Sequence, residues 1–345
     1  MRRGGSLVVG GTLAFAIVAC SELREAEPSA DAGVADAGPA KRPEDGRAEL
    51  QDASDAEAAA RPPCPAPCQP ERISTIENLG ALTVDSFNVY FGGVTSGVFA
   101  MAKDSRQTRT MGNGKAPRLA LANGRLFWGE GDRLVACPIE GCGGAPQGLV
   151  TDEVGIDEVL SDGESVAWHA RLGADDVIRS CPAETCSQGT VTTVTKVVSP
   201  RAGFGIGDGK VFWADFKKEL RYCPLAPLPC TSPTKLGPGS NDPVVHGGVA
   251  YWLYEQNVVA CPLAGCENFP RKIGTSSFPR LVAVDDHDVY WRDAVDHTVV
   301  RCPITGCSGA PEEIAAAVDG GTLALALDAD YVYWTAATGL WRRHK

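Results

Sequence analysis

From Cys64 onward the chain repeats itself, and no other feature narrows its fold as much. An apolar–aromatic triplet recurs seven times: Val89-Tyr90-Phe91, Leu126-Phe127-Trp128, Val166-Ala167-Trp168, Val211-Phe212-Trp213, Ala250-Tyr251-Trp252, Val289-Tyr290-Trp291 and Val332-Tyr333-Trp334. Successive triplets end 37, 40, 45, 39, 39 and 43 residues apart. A period near forty with aromatic strands is that of a four-stranded propeller blade. Each repeat opens with a short apolar strand, such as Leu119–Ala122 or Leu281–Val284. A tight turn follows, as at Asn123-Gly124, Asp162-Gly163, Asp208-Gly209 and Gly247-Gly248, where such pairs supply the positive φ angles of hairpins. The aromatic strand comes second. A third strand runs into Cys-Pro, as in Arg133–Cys137, Glu219–Cys223 and Val299–Cys302, and a variable fourth closes the unit, as in Gln147–Thr151 or Arg271–Gly274.

The two ends of this region complement each other. The last repeat stops after a third strand, Gly339–Arg343, whereas Cys64–Cys68 followed by Arg72–Glu77 reads as the Cys-Pro turn and fourth strand of a repeat lacking its beginning. The sequence therefore predicts an all-β fold: a single propeller of four-stranded blades over 64–345, with seven blades and an N-terminal strand closing the last. Six blades is the alternative. Closure of this kind removes an open sheet edge.

Tyr290-Trp291-Arg292-Asp293 and Tyr333-Trp334-Thr335-Ala336 resemble the repeat of the YWTD-type propellers of lipoprotein-receptor ectodomains. The resemblance spans 64–345 and implies a ligand-binding propeller. The motif's Asp is matched by Asp293 and Asp215 and approximated by Glu130. Family members are usually six-bladed, whereas seven aromatic strands are counted in this chain.

Upstream, Arg2 and Arg3 precede Leu7–Ala19, an uncharged apolar run too short to span a bilayer and suited to the core of a signal peptide. It ends in Ile17-Val18-Ala19-Cys20, which resembles a bacterial lipobox; Ser21 after it looks like an outer-membrane destination. Residues 1–19 are thus expected to be a lipoprotein signal peptide and Cys20 the lipidated N-terminus, an ordinary secretory signal being the alternative. Residues 21–63 carry eleven acids against five basic residues, with no aromatic and no Ile. Such a stretch cannot bury enough apolar surface to order itself. As a coil it would span roughly 35–40 Å. The expectation is a lipid-anchored envelope protein held off the membrane by a tether. A formal net charge of −11 disfavours nucleic acid and anionic lipid surfaces as partners.

Setting Cys20 aside leaves twelve of the thirteen cysteines, which recur in pairs after the third strands: Cys64/Cys68, Cys137/Cys142, Cys181/Cys186, Cys223/Cys230, Cys261/Cys266 and Cys302/Cys307. A metal site needs four ligands converging on one ion, and these pairs belong to separate blades. An exported setting favours six local disulfides, each closing a short loop for on the order of 2 kcal/mol. The first blade has no pair and carries Met101-Ala102-Lys103-Asp104 instead.

Catalytic patterns are sparse. His169, His246, His287, His297 and His344 lack metal-ligand spacing, no nucleophile elbow occurs, and Gly205–Gly209 reads as a hairpin turn and not as a phosphate loop. No cofactor or metal is expected. One repeated feature could form a site. Pro117-Arg118, Pro200-Arg201 and Pro279-Arg280 stand where the chain passes into an inner strand, with Glu158 and Asp242 at that place in the intervening blades. Guanidinium groups suit bidentate recognition of carboxylate or phosphate. Arg118, Arg201 and Arg280 would then converge at the channel mouth on an anionic ligand or an acidic segment of an envelope protein; pairing with the neighbouring acids is the competing reading. The function expected is a non-catalytic ligand- or protein-binding scaffold. The alternative is a propeller enzyme, lactonase- or lyase-like, with its site at the same mouth.

Overall fold

The computed structural model describes residues 69–345 apart from 94, 117, 157, 198–202, 216, 240–242, 267–268 and 317–323. It contains seven four-stranded antiparallel sheets. Strand β1 (Glu71–Ser74) precedes the first complete blade. Blade 1 is β2 (Leu79–Val84), β3 (Asn88–Gly93), β4 (Gly97–Ala102) and β5 (Thr108–Gly112). Blade 2 is β6 (Ala120–Ala122), β7 (Arg125–Glu130), β8 (Arg133–Pro138) and β9 (Gln147–Val150). Blade 3 is β10 (Val159–Ser161), β11 (Ser165–Leu172), β12 (Asp175–Pro182) and β13 (Thr192–Val197). Blade 4 is β14 (Phe204–Gly207), β15 (Lys210–Ala214), β16 (Glu219–Pro224) and β17 (Thr234–Pro238). Blade 5 is β18 (Val244–His246), β19 (Val249–Tyr254), β20 (Asn257–Pro262) and β21 (Arg271–Thr275). Blade 6 is β22 (Pro279–Val284), β23 (Asp288–Asp293), β24 (Thr298–Pro303) and β25 (Glu312–Ala315). Blade 7 is β26 (Leu325–Leu327), β27 (Tyr331–Ala336), β28 (Gly339–His344) and, as its outermost strand, β1.

The seventh blade closes as the half-repeats at the two ends require. Arg72 stands opposite Trp341 and Ser74 opposite Leu340. Inside each blade the hairpins are tight: Asn123 and Asp208 hold φ of 45° and 50° beside Gly124 and Gly209. In blades 1 to 6 the register between third and fourth strands shifts by a residue, for example between Leu134 and Val135. Such bulges add the twist that turns an outer strand away from its partner and toward the next blade.

The core lies between blades. Each aromatic strand is buried on both faces, and Trp128, Trp168, Trp252 and Trp291 are all fully buried. Clusters of apolar side chains each join two neighbouring blades: Tyr90 of blade 1 packs with Trp128 of blade 2, and Phe212 of blade 4 with Trp252 of blade 5. Innermost strands of neighbouring blades also approach closely. A side chain on Gly207 would meet Val245 of the adjacent strand at 2.5 Å, so the tight radius there demands glycine.

Five local disulfides tie third strands to the loops that follow: Cys137–Cys142, Cys181–Cys186, Cys223–Cys230, Cys261–Cys266 and Cys302–Cys307. The expected Cys64–Cys68 pair, the lipidation site Cys20, the signal peptide and the tether lie outside the described residues.

Candidate functional site

Two ends of the ring differ in what they carry. Second-to-third-strand turns and blade-to-blade connections form the mouth face. First-to-second-strand turns and the disulfide loops form the far face.

At the mouth, where the innermost strands begin, they enclose a cavity of about 170 Å³ on the ring axis. All seven blades line it with an apolar side chain: Leu82, Leu119, Leu160, Phe204, Val244, Val282 and Leu325 in blade order. The convergence follows from the ring topology, since every innermost strand begins at this end and its first residues crowd around the central channel. Among the described residues, two charged ones stand at the rim. Arg118 Nε lies 3.9 Å from Glu158 Oε1. Glu158 Oε2 accepts the Phe204 amide at 3.1 Å, and its carbonyl accepts the His169 amide at 3.2 Å. Glu158 therefore ties blades 2, 3 and 4 together at the mouth.

The arginine pattern is only partly assembled by the fold. Arg118 lines the mouth with Glu158 as its partner. Arg280 stands outside the cavity, its guanidinium carbon 4.0 Å from the centre of the Phe278 ring. A bulge explains the difference. Register shifts between Arg280 and Val282, and the intervening Leu281 takes φ 53°. The extra residue resets the alternation and hands the axial positions to Leu281 and Val282. Arg201 and Asp242 lie outside the described residues.

The acids of the aromatic repeat cap turns. Asp293, 1% exposed, accepts the amides of Val295 and Asp296 on Oδ1 and that of Phe278 on Oδ2. Asp215 accepts the amides of Lys217 and Glu219 and binds Arg221 Nε at 2.7 Å. Burial pushes both carboxyls up. The donated hydrogen bonds outweigh it and hold both below the usual carboxylate range. Asp293→Ala is expected to cost about 1–3 kcal/mol by taking the acceptor from three part-buried amides at once, measured as a shift in urea midpoint. An unchanged midpoint would show that the turn stands without its cap.

Sequence reading missed a buried polar cluster in blade 3. Glu153, 1% exposed, binds Arg179 Nη1 at 2.8 Å and accepts the Trp168 indole N–H at 3.3 Å. His169, one of the five histidines without metal-ligand spacing, is buried in β11 with Nε2 3.3 Å from Asp176. The signal for this cluster lies in strand register, which sets Trp168 opposite Arg179 and His169 opposite Ile178, and no local motif encodes that.

A larger cavity of about 720 Å³ opens on the far face at the seam of blades 7 and 1. Asp85, Lys103, Asp104, Asp328, Asp330 and Tyr333 are among its lining. Lys103 Nζ binds Asp328 Oδ2 at 2.6 Å and also donates to the Asp85 carbonyl. Burial, then the Asp328 carboxylate, push the Tyr333 hydroxyl well above its ordinary range, so it stays a donor.

The fold places the chain among seven-bladed β-propellers. Among solved structures it is similar to the WD40 propeller domain of Doa1, with 11% identity over 81% of this chain and 97% of the other and a TM-score of 0.58. It is also similar to BamB from Moraxella catarrhalis, with 12% identity over 76% and 84% and a TM-score of 0.51. A nidogen/laminin complex matches with 15% identity over 55% and 77% and a TM-score of 0.44. At these identities the likeness is one of fold. No family model and no curated protein matches the chain.

Proposed function

We propose that this chain is a non-catalytic binding propeller of the bacterial envelope, anchored through Cys20, which receives an apolar side chain of a protein partner in the axial socket at its mouth. The observation that carries this reading is the socket itself: every blade contributes an apolar side chain to one cavity of about 170 Å³. A space of that size takes a single leucine- or phenylalanine-sized group, and a few side chains buried in such desolvated pockets carry most of the energy of a protein interface. Around it, Arg118 and Glu158 give a polar rim already engaged in its own ion pair, while Phe278 and Val295 add exposed apolar surface on the same face in blade 6. Local disulfides suit an exported protein, in keeping with the lipobox-like leader.

The test is comparative capture from native envelope extract. Wild-type chain is expected to retain a discrete partner that Leu160→Glu loses by roughly tenfold or more, because a carboxylate in the socket must be desolvated against an apolar anchor. Circular dichroism and melting should show that the variant keeps its fold. Equal capture by both proteins would sink the socket reading.

A further inference from the structure

One position at the end of the third strands carries two different chemistries. The residue after the strand is Ile139, Ala183, Leu225, Leu263 and Ile304 in blades 2 to 6, but Lys103 and Lys345 in blades 1 and 7. The seven are equivalent by a shared hydrogen bond. Each amide donates to a carbonyl in the first hairpin of its own blade: Ile139 to Gly124, Leu225 to Gly209, Ile304 to His287, Lys103 to Phe87 and Lys345 to Asp330, for example. In blades 2 to 6 the side chain belongs to the apolar cluster shared with the preceding blade. In blades 1 and 7 it crosses to the preceding blade as an ion pair. Lys103 Nζ meets Asp328 of blade 7 at 2.6 Å, and Lys345 Nζ meets Asp285 of blade 6 at 2.6 Å. Both aspartates head four-residue turns. Asp85 and Asp162 head the same turns in blades 1 and 3, yet the following blades carry Ile139 and Leu225 at this position. The two lysine–aspartate pairs thus fall on either side of blade 7, the blade assembled from both ends of the propeller.

We infer that these pairs are acid-sensitive latches, and that blade 7 is where the ring opens. Both are desolvated: the side chains of Lys103 and Asp328 are each 16% exposed, those of Lys345 and Asp285 7% and 20%. Breaking one partner of such a pair leaves a poorly hydrated charge behind.

The groups facing Asp328 are Lys103, the Tyr333 hydroxyl and the amides of Asp330 and Tyr331, with Asp85, Asp104, Asp330 and Arg342 around the shared cavity. That cavity gives water access to the latch. Asp285 accepts the amides of His287 and Asp288 besides Lys345; the neighbouring charges and titrating groups are Asp286, His287, Asp288, Tyr290 and Arg301. Burial raises both latch carboxyls, and the lysine contacts with the other donors more than offset it, so both sit below the usual range. Their stabilisation is complete above the ordinary carboxylate value of 3.8 and is lost as pH falls through the lower folded value. Neutral aspartic acid no longer holds lysine, and both flanks of blade 7 loosen together.

Hydrogen exchange of the full chain, corrected for intrinsic rates, tests this. Between about pH 6 and pH 3, protection in Glu71–Ser74 and Gly339–His344 is expected to fall roughly tenfold to a hundredfold more than in Arg271–Thr275 of blade 5. Asp285→Asn with Asp328→Asn should reproduce the loss at neutral pH. Adding Lys103→Leu and Lys345→Leu copies the apolar chemistry of the other blades and should abolish the selective acid response. A uniform loss across blades, or a selective response that persists in the fourfold variant, would overturn the latch. If the double variant does not fold, wild type against the fourfold variant still decides.

Discussion

Trp291→Ala is expected to remove about 3–5 kcal/mol of stability, since a fully buried indole leaves a cavity that its neighbours cannot collapse to fill. Trp291 is 0% exposed on β23 and packs across the blade boundary on Val258 and Ile273 of blade 5. Its ring is the reason for a glycine in the neighbouring blade. A Cβ at Gly274 would lie 2.6 Å from Trp291 Cη2 and 3.0 Å from Cys302 Sγ. Gly274→Ala by itself should therefore overpack the seam and cost about 1–3 kcal/mol. In the Trp291→Ala background the same methyl enters vacated space, so its cost should shrink or reverse. The double-mutant cycle in urea should show a coupling of about 0.5–3 kcal/mol. Strict additivity would mean that the indole and the glycine do not share the seam.

How far the fold and the socket can be read from residues alone depends on how local the determining physics is. Seven aromatic strands, tight Gly-containing hairpins and Cys pairs are local patterns, and each reappears as a strand, a turn or a disulfide. Closure by β1 was legible because two incomplete repeats supply each other's missing strands. The socket was half legible. Inner strands were readable as apolar, but which side chain faces the axis depends on register. Leu281 bulges with φ 53°, and that one extra residue moves Arg280 off the axis without any mark in the Pro-Arg pattern. The latches were hidden for another reason. In the sequence Lys103 merely follows Met101-Ala102, which stand where blades 2 to 6 carry Cys-Pro, and only the fold brings Asp328, 225 residues away, within 2.6 Å of it. Pairing across the ring is set by topology and not by neighbours in the chain.

Blade 3 should show the second large effect, because its buried ion pair is worth more when broken than when absent. Glu153→Ala is expected to destabilise by about 3–5 kcal/mol, since it leaves the Arg179 guanidinium poorly hydrated without its carboxylate. It also takes the acceptor from the Trp168 indole, which sits fully buried beneath the pair. Glu153→Gln keeps a carbonyl oxygen for that indole but not the charge, and should fall between wild type and alanine. Removing both charges reverses the logic. Glu153→Leu with Arg179→Met replaces two desolvated ions by apolar groups of similar bulk, and should lie within about 2 kcal/mol of wild type on either side. The pair joins the connection before β10 to β12, so its loss should loosen blade 3 first, and hydrogen exchange in Asp175–Pro182 should rise ahead of Asn257–Pro262 in blade 5. A Glu153→Ala variant within about 0.5 kcal/mol of wild type, the usual range for an exposed surface change, would show that water reaches Arg179 and that the pair is not closed off by the blade.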